Sequence, residues 1–188
     1  EELDKSEINL AKANSKKKNK IALQEPSFIK PMLAEIEKDP FDNPEWIFEN
    51  KYDGYRTIAV INPENVDLFS RNKNSFNKEF EPIAEELKKM EHIAVIDGEI
   101  VVENDEGKAD FQLLQNYIKT GEGILKYYVF DLLNLDGNSI VNLPIINRKE
   151  LLKTLIEKYK FNSIFYSEHV VEKGLALFDT TIKNKGEG

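Results

Sequence analysis

Phe48-Glu49-Asn50-Lys51-Tyr52-Asp53-Gly54-Tyr55-Arg56 sets a lysine between two strand-like runs. Trp46-Ile47-Phe48 before it and Arg56 to Ile61 after it are rich in β-branched and aromatic residues, so both are expected to be strands. Asp53-Gly54 marks a turn, and two readings follow from it. In one, the segment is the tip of a β-hairpin with ordinary solvated charges, because Asp-Gly between apolar runs is a strong hairpin signal. In the other, the turn projects Lys51 into a cleft. A lysine there is a nucleophile once its reference pKa of about 10.4 is lowered by burial or by a neighbouring positive charge. The apolar strand on one side and Arg56 on the other are placed to supply both influences.

Outward from this segment the pattern alternates. Phe41-Asp42-Asn43-Pro44 reads as a turn, and Val66 to Phe69 as a strand joined to the preceding one through Asn62-Pro63-Glu64-Asn65. Glu79 to Met90 has helical spacing, with Phe80, Ile83, Ala84 and Leu87 on one face and Pro82 in the first turn. Ile93 to Val102 and Leu125 to Leu133 are dense apolar runs of the kind buried in a sheet. Between them, Asn104 to Gly107 is a turn and Ala109 to Ile118 a helix. Asn147 to Tyr159 is a helix with Leu151, Leu152, Leu155 and Ile156 as its apolar stripe. Ser163 to Tyr166 is a short strand and Glu172 to Lys183 a last helix. Hairpins interleaved with isolated helices give an α+β fold rather than a regular parallel series.

Residues 1–27 are polar and lysine-rich, with Ser15-Lys16-Lys17-Lys18-Asn19-Lys20 at the centre; they are expected to be a linker, with a short helix over Ser6 to Ala13. The chain opens on Glu1 and closes on Gly186-Glu187-Gly188, so a longer protein is expected. Its net charge of -8 argues weakly against a nucleic-acid partner, although a sum says nothing about a basic face. The absence of cysteine excludes disulfides and thiolate chemistry. With two histidines, His92 and His169, both read as structural or surface residues, a metal would be held by carboxylates, which favours magnesium or manganese. No run approaches the roughly 20 apolar residues of a membrane span, and no secretory leader is visible, so a cytoplasmic setting is the default.

Two further residues stand out. Glu99, flanked by Ile96, Ile100 and Val101, is a carboxylate that is costly to bury unless paired or coordinated, which points to a site. Phe130 and Asp131 are adjacent in a strand-like run, where alternation sends their side chains to opposite faces. Only one of them then faces a cleft, and read by itself an aromatic such as Phe130 in a buried-looking strand is more often a core residue.

Lys51-Tyr52-Asp53-Gly54-Tyr55-Arg56 resembles the Lys-x-Asp-Gly-x-Arg motif of the covalent nucleotidyltransferases: ATP-dependent DNA ligases, RNA ligases and capping enzymes. Ser70-Arg71-Asn72, Asp97-Gly98-Glu99, Tyr128 to Leu133 and Glu187-Gly188 resemble that family's later motifs, in the same order. Lys30 to Ala34, Phe111 to Asn116 and Ser167 to Val170 bring the resemblance closest to the adenylation domain of bacterial ligase D, the multidomain end-joining ligase. Asn50 departs from the pattern, standing where the family usually has an apolar residue.

The resemblance implies a nucleotidyltransferase core of antiparallel sheets flanked by helices, ATP-grasp-like, with the ATP cleft between the sheets. It implies an adenylation domain over residues 28–188 that stops within its fourth motif, without the oligonucleotide-binding domain of the intact enzyme. Lys51 would carry AMP from ATP as a phosphoramide. Glu49 would recognise the adenine amino group, Arg56 and Arg71 would bind ribose and phosphate, and Phe130 would stack on the base. Glu99 would take the ribose hydroxyl and, with Glu187, assist Mg2+ or Mn2+. The implied partners are nicked or broken double-stranded DNA and end-joining repair proteins, with a monomeric, nucleoid-associated protein in a bacterial cytoplasm. An RNA ligase, a capping-type enzyme and a domain that binds nucleotide without turnover are the rival readings.

Overall fold

The most apolar run forms the middle of the molecule. In the computed structural model, which describes residues 26–184 and Gly186, β4 (Ala94–Glu103) is buried at nine of its ten positions, Glu99 being the exception. β2 (Tyr55–Ile61) and β5 (Ile124–Leu135) flank it, and both pair with it antiparallel. β3 (Val66–Ser70) extends the sheet beyond β2, and β6 (Asn138–Ser139) extends it beyond β5. β7 (Ile164–Tyr166) pairs with β5 in parallel, so the large sheet is mixed rather than wholly antiparallel.

One face of this sheet is closed by three helices. Ile83, Ala84 and Leu87 of α1 (Glu81–Leu87), Leu114 of α2 (Phe111–Thr120) and Leu152, Leu155 and Ile156 of α3 (Ile145–Tyr159) join Ala59, Leu68, Ile96, Ile100, Val102, Val129 and Leu132 in the main core. The α2 helix begins where the Asp110 carboxylate accepts the Gln112 N–H and stops at Gly121, whose φ of 74° is left-handed. The other face divides in two. Ile58, Val60, Val95 and Leu133 form a smaller apolar cluster covered by Phe28, Ile29 and Phe69. Further along the same strands, the alternate positions carry Arg56, Asp97, Glu99 and Glu103, with the buried Val101 between the last two.

A separate two-stranded sheet pairs β1 (Asn43–Glu49) with β8 (His169–Glu172), and α4 (Gly174–Lys183) packs against both. The hairpin reading of the Asp53-Gly54 turn therefore fails. β1 and β2 lie in different sheets, and Asn50 to Gly54 crosses between them. Gly54 is required by that crossing: a Cβ there would lie 2.1 Å from the Ile100 carbonyl oxygen and 2.8 Å from Val101 Cγ1.

Other expectations shift in detail. The expected helix from Glu79 to Met90 shrinks to α1, while β1 begins within the expected Phe41 to Pro44 turn. The last helix starts at Gly174 instead of Glu172, because Glu172 ends β8 with a φ of 71°, outside the helical region. The Ser6 to Ala13 helix and most of the expected 1–27 linker lie outside the described residues.

Candidate active site

Side chains on the polar part of the second sheet face form a bonded group. Arg56 of β2 donates from Nε and Nη2 to Oδ1 and Oδ2 of Asp97 on β4, at 2.6 and 2.7 Å. The same guanidinium lies 4.6 Å from the centroid of the Phe130 ring. Asp131 is held in the same manner by Arg148 of α3, whose Nε and Nη2 donate to its two oxygens at 2.7 and 2.8 Å. Arg148 Nη1 donates to the Val141 and Leu143 carbonyls. Burial pushes the Asp97 carboxyl up, Arg56 pulls it down, and the Asp131 charge raises it again.

Phe130 and Asp131 thus join one group, contrary to the expectation that only one of them could. The reason is a β-bulge. Asp97 pairs with Asp131 and Gly98 with Val129, which leaves Phe130 without a partner and breaks the two-residue alternation there. Gly98 has to be glycine, since a Cβ would meet the Tyr128 carbonyl oxygen at 2.5 Å and the Tyr127 ring at 2.6 Å.

Glu99 lies one pleat beyond Asp97 on the same face. Burial pushes its carboxyl up to about 7, against the pull of Arg56, the Gly54 amide and Lys51 and with the push of Asp97. Between the ordinary 4.5 and about 7, the folded protein therefore holds a proton that the unfolded chain has released. The unfolded state binds fewer protons in that window, so the contribution of Glu99 to stability falls as pH rises through it. Glu99→Gln is neutral at every pH. Its melting temperature relative to the unsubstituted protein is expected to rise between about pH 5 and about pH 8. Parallel melting curves over that range would show Glu99 already ionised at the lower pH.

The second bonded group sits where the two sheets approach. Lys149 of α3 has no solvent exposure and donates to Glu49 Oε1 at 2.6 Å, the Phe130 carbonyl at 3.2 Å and the Ser167 carbonyl at 3.1 Å. Lys51, two residues beyond Glu49, is exposed. It lines a groove of about 400 Å³ with Glu49, Phe41, Phe48, Leu177 and Phe178. None of Arg56, Arg71, Glu99 and Phe130 lines that groove, so the Glu49 to Lys51 segment is the border between it and the polar face. The neighbouring Tyr52 is stacked on Tyr128, with centroids 4.2 Å apart, and the Tyr128 hydroxyl donates to Glu103, which also accepts from Lys126. This stack ties the crossing segment to the large sheet.

The structure brings Arg56, Glu99 and Phe130 together on one sheet face, with Lys51 close enough to act on the Glu99 charge. Arg71 stands exposed in the turn after β3, and Glu187 lies outside the described residues. His169 faces Glu49 across the β1–β8 pair, and its imidazole is pushed down by burial and by Lys149. Sequence reasoning missed Arg148 and Lys149. A signal existed, because Lys149 shares a helical stripe with Leu152 and Ile156, and a charge on an apolar stripe needs a partner inside.

The family described as ATP dependent DNA ligase domain matches residues 31–188. The chain belongs to this ATP-dependent DNA ligase family. It is 30% identical over 165 residues to the multifunctional non-homologous end joining protein LigD of Pseudomonas aeruginosa, covering 87% of this chain and 20% of that protein. It is also 30% identical to the SPbeta prophage-derived DNA ligase-like protein LigB of Bacillus subtilis, covering 86% of this chain and 59% of that one. Among solved structures, the ligase domain of Mycobacterium tuberculosis LigD superposes with a TM-score of 0.67 at 30% identity, over 79% of this chain and 48% of that one. A mycobacterial DNA ligase D complexed with ATP gives 0.64 at 30% identity, over 76% and 46%. The chain thus spans about half of these ligase structures and between a fifth and three fifths of the two relatives. The fold is that of the ligase nucleotidyltransferase domain, with mixed sheets and flanking helices.

Proposed function

We propose that Lys51 is the residue that takes AMP from ATP. The free amine attacks the α-phosphorus and the bond to the β-phosphate oxygen breaks. Pyrophosphate leaves with that electron pair, the ammonium proton is lost to solvent, and a lysyl phosphoramide remains. In the intact protein, AMP then passes to a DNA 5′-phosphate. A 3′-hydroxyl attacks that activated phosphate, sealing the break as AMP leaves.

The observation that supports this reading is the crossing segment: it runs from Glu49 at the end of β1 to β2 with its Arg56, and Lys51 on it acts on the Glu99 charge. Glu49 accepts from the adenine amino group and Phe130 stacks on the base. Arg56 and Arg71 hold ribose and phosphate oxygens, as a planar, permanently charged fork suits. Among the described residues no group of three or more acidic or histidine side chains could hold a metal. A single partly buried carboxylate suits Mg2+ or Mn2+, which bind mainly through substrate phosphates and water. Glu99, with Glu187, would hold the ion, which supplies charge neutralisation at the phosphates.

Among the described residues no helix is long and apolar enough to cross a membrane. A monomeric, cytoplasmic, nucleoid-associated protein working on broken duplex DNA with end-joining proteins is the setting that fits this reading. Residues 1–27 act in it as a linker to the adenylation domain at 28–188.

The test is incubation of the purified protein with ATP labelled at the α-phosphate and a divalent ion. A covalent adduct is expected that is labile to acid, stable to base and reversed by added pyrophosphate. Labelling by GTP in preference to ATP would assign the chain to guanylyl transfer, and no adduct at all would leave a nucleotide-binding domain without turnover.

A further inference from the structure

Lys149 is completely shielded from solvent, and its ammonium makes three hydrogen bonds. Burying an ammonium is unfavourable unless its charge is matched and its donors are used. What matters here is which groups it uses. Glu49 ends β1 of the small sheet, Phe130 lies at the bulge of β5 in the large sheet, and Ser167 follows β7. One cation carried on α3 therefore ties together the two sheets and holds both the carboxylate and the backbone of the residues that face the base. The Tyr166 ring, 4.7 Å from the ammonium, closes its remaining side.

We infer that Lys149 is a positioning residue that sets purine selectivity, by fixing Glu49 so that one carboxylate oxygen is free to accept a hydrogen bond from the exocyclic amine of adenine. This rests on the adenylation reading above. Oε1 is engaged by the ammonium, which holds the side chain in one orientation and leaves Oε2 for the ligand. A fixed carboxylate oxygen attracts an amino group and repels a carbonyl oxygen at the same position of the ring, so a 6-amino purine is accepted and a 6-oxo purine refused. Without the ammonium, Glu49 gains rotameric freedom and can turn away from a 6-oxo group.

The experiment compares covalent self-labelling by ATP and by inosine triphosphate, which carries oxygen where ATP carries the amine. Unsubstituted protein is set beside Lys149→Met and Lys149→Gln, all in the intact protein. The unsubstituted protein is expected to prefer ATP. Each variant is expected to raise KM for ATP and to narrow the ATP-to-inosine ratio of kcat/KM by about tenfold or more, with a smaller change in kcat, because a lost charge-assisted hydrogen bond acts on that ratio. A merely structural lysine would leave the ratio unmoved. Lys149→Gln keeps a donor for the Phe130 or Ser167 carbonyl and guards against misfolding of the methionine variant. Folded variants with an unchanged ratio would overturn the inference, as would failure of both to fold, since the lysine would then be structural. Equal labelling of the unsubstituted protein by the two nucleotides would overturn it while leaving adenylation standing. Absence of any label would instead remove the adenylation reading on which it depends.

Discussion

Lys51→Ala is expected to abolish covalent labelling by ATP, a loss of at least about a thousandfold, because removing a nucleophile removes the bond-forming step rather than weakening it. Lys51→Arg should fail equally, since a guanidinium stays protonated and cannot attack phosphorus. Lys51 is exposed and lies in a segment outside the core, so both variants are expected to fold and unfold cooperatively. Loss of label with unchanged melting is the signature of a chemical role. A labelled alanine variant, with AMP recovered on another lysine, would sink the assignment.

Asp131→Ala is expected to destabilise the fold by about 3–5 kcal/mol, because it strands the guanidinium of Arg148 inside the protein. The Arg148 and Asp131 side chains are 9% and 14% exposed, which is too little for water to replace the two lost hydrogen bonds. The Asp131 Oδ1 also accepts the Leu132 amide, so that donor loses its partner too. Urea melts measure the loss directly through the shift in midpoint at constant slope. The double variant Asp131→Ala with Arg148→Met should recover part of it, because no charge then remains unpaired. A single variant within about 1 kcal/mol of the unsubstituted protein would mean that Arg148 finds other acceptors.

The exposed Arg71 and the buried Lys149 mark the two limits of reading such a site from its sequence. Arg71 was named through a motif, and the protein chain by itself leaves it in solvent after β3. Lys149 belongs to no motif quoted above, and its role depends on Glu49, 100 positions earlier in the chain, so local pattern could not assign its partner. The acidic net charge has a similar limit, because a sum over 188 residues says nothing about where a basic face lies.

The residue order alone determined where most strands and helices run. Dense apolar runs and helical spacings of apolar side chains are local properties, as β2, β4 and the Leu152 to Ile156 stripe of α3 show. It also determined the family, because the Lys51 to Arg56 motif and its successors occur in order along the chain. Only the tertiary structure decided that β1 leaves β2 for β8, that a bulge at Phe130 turns it and Asp131 into one polar group, and that Lys149 joins the two sheets. Strand partners, bulges and buried ion pairs depend on residues distant in sequence, and their energies exist only once the chain has brought those residues together.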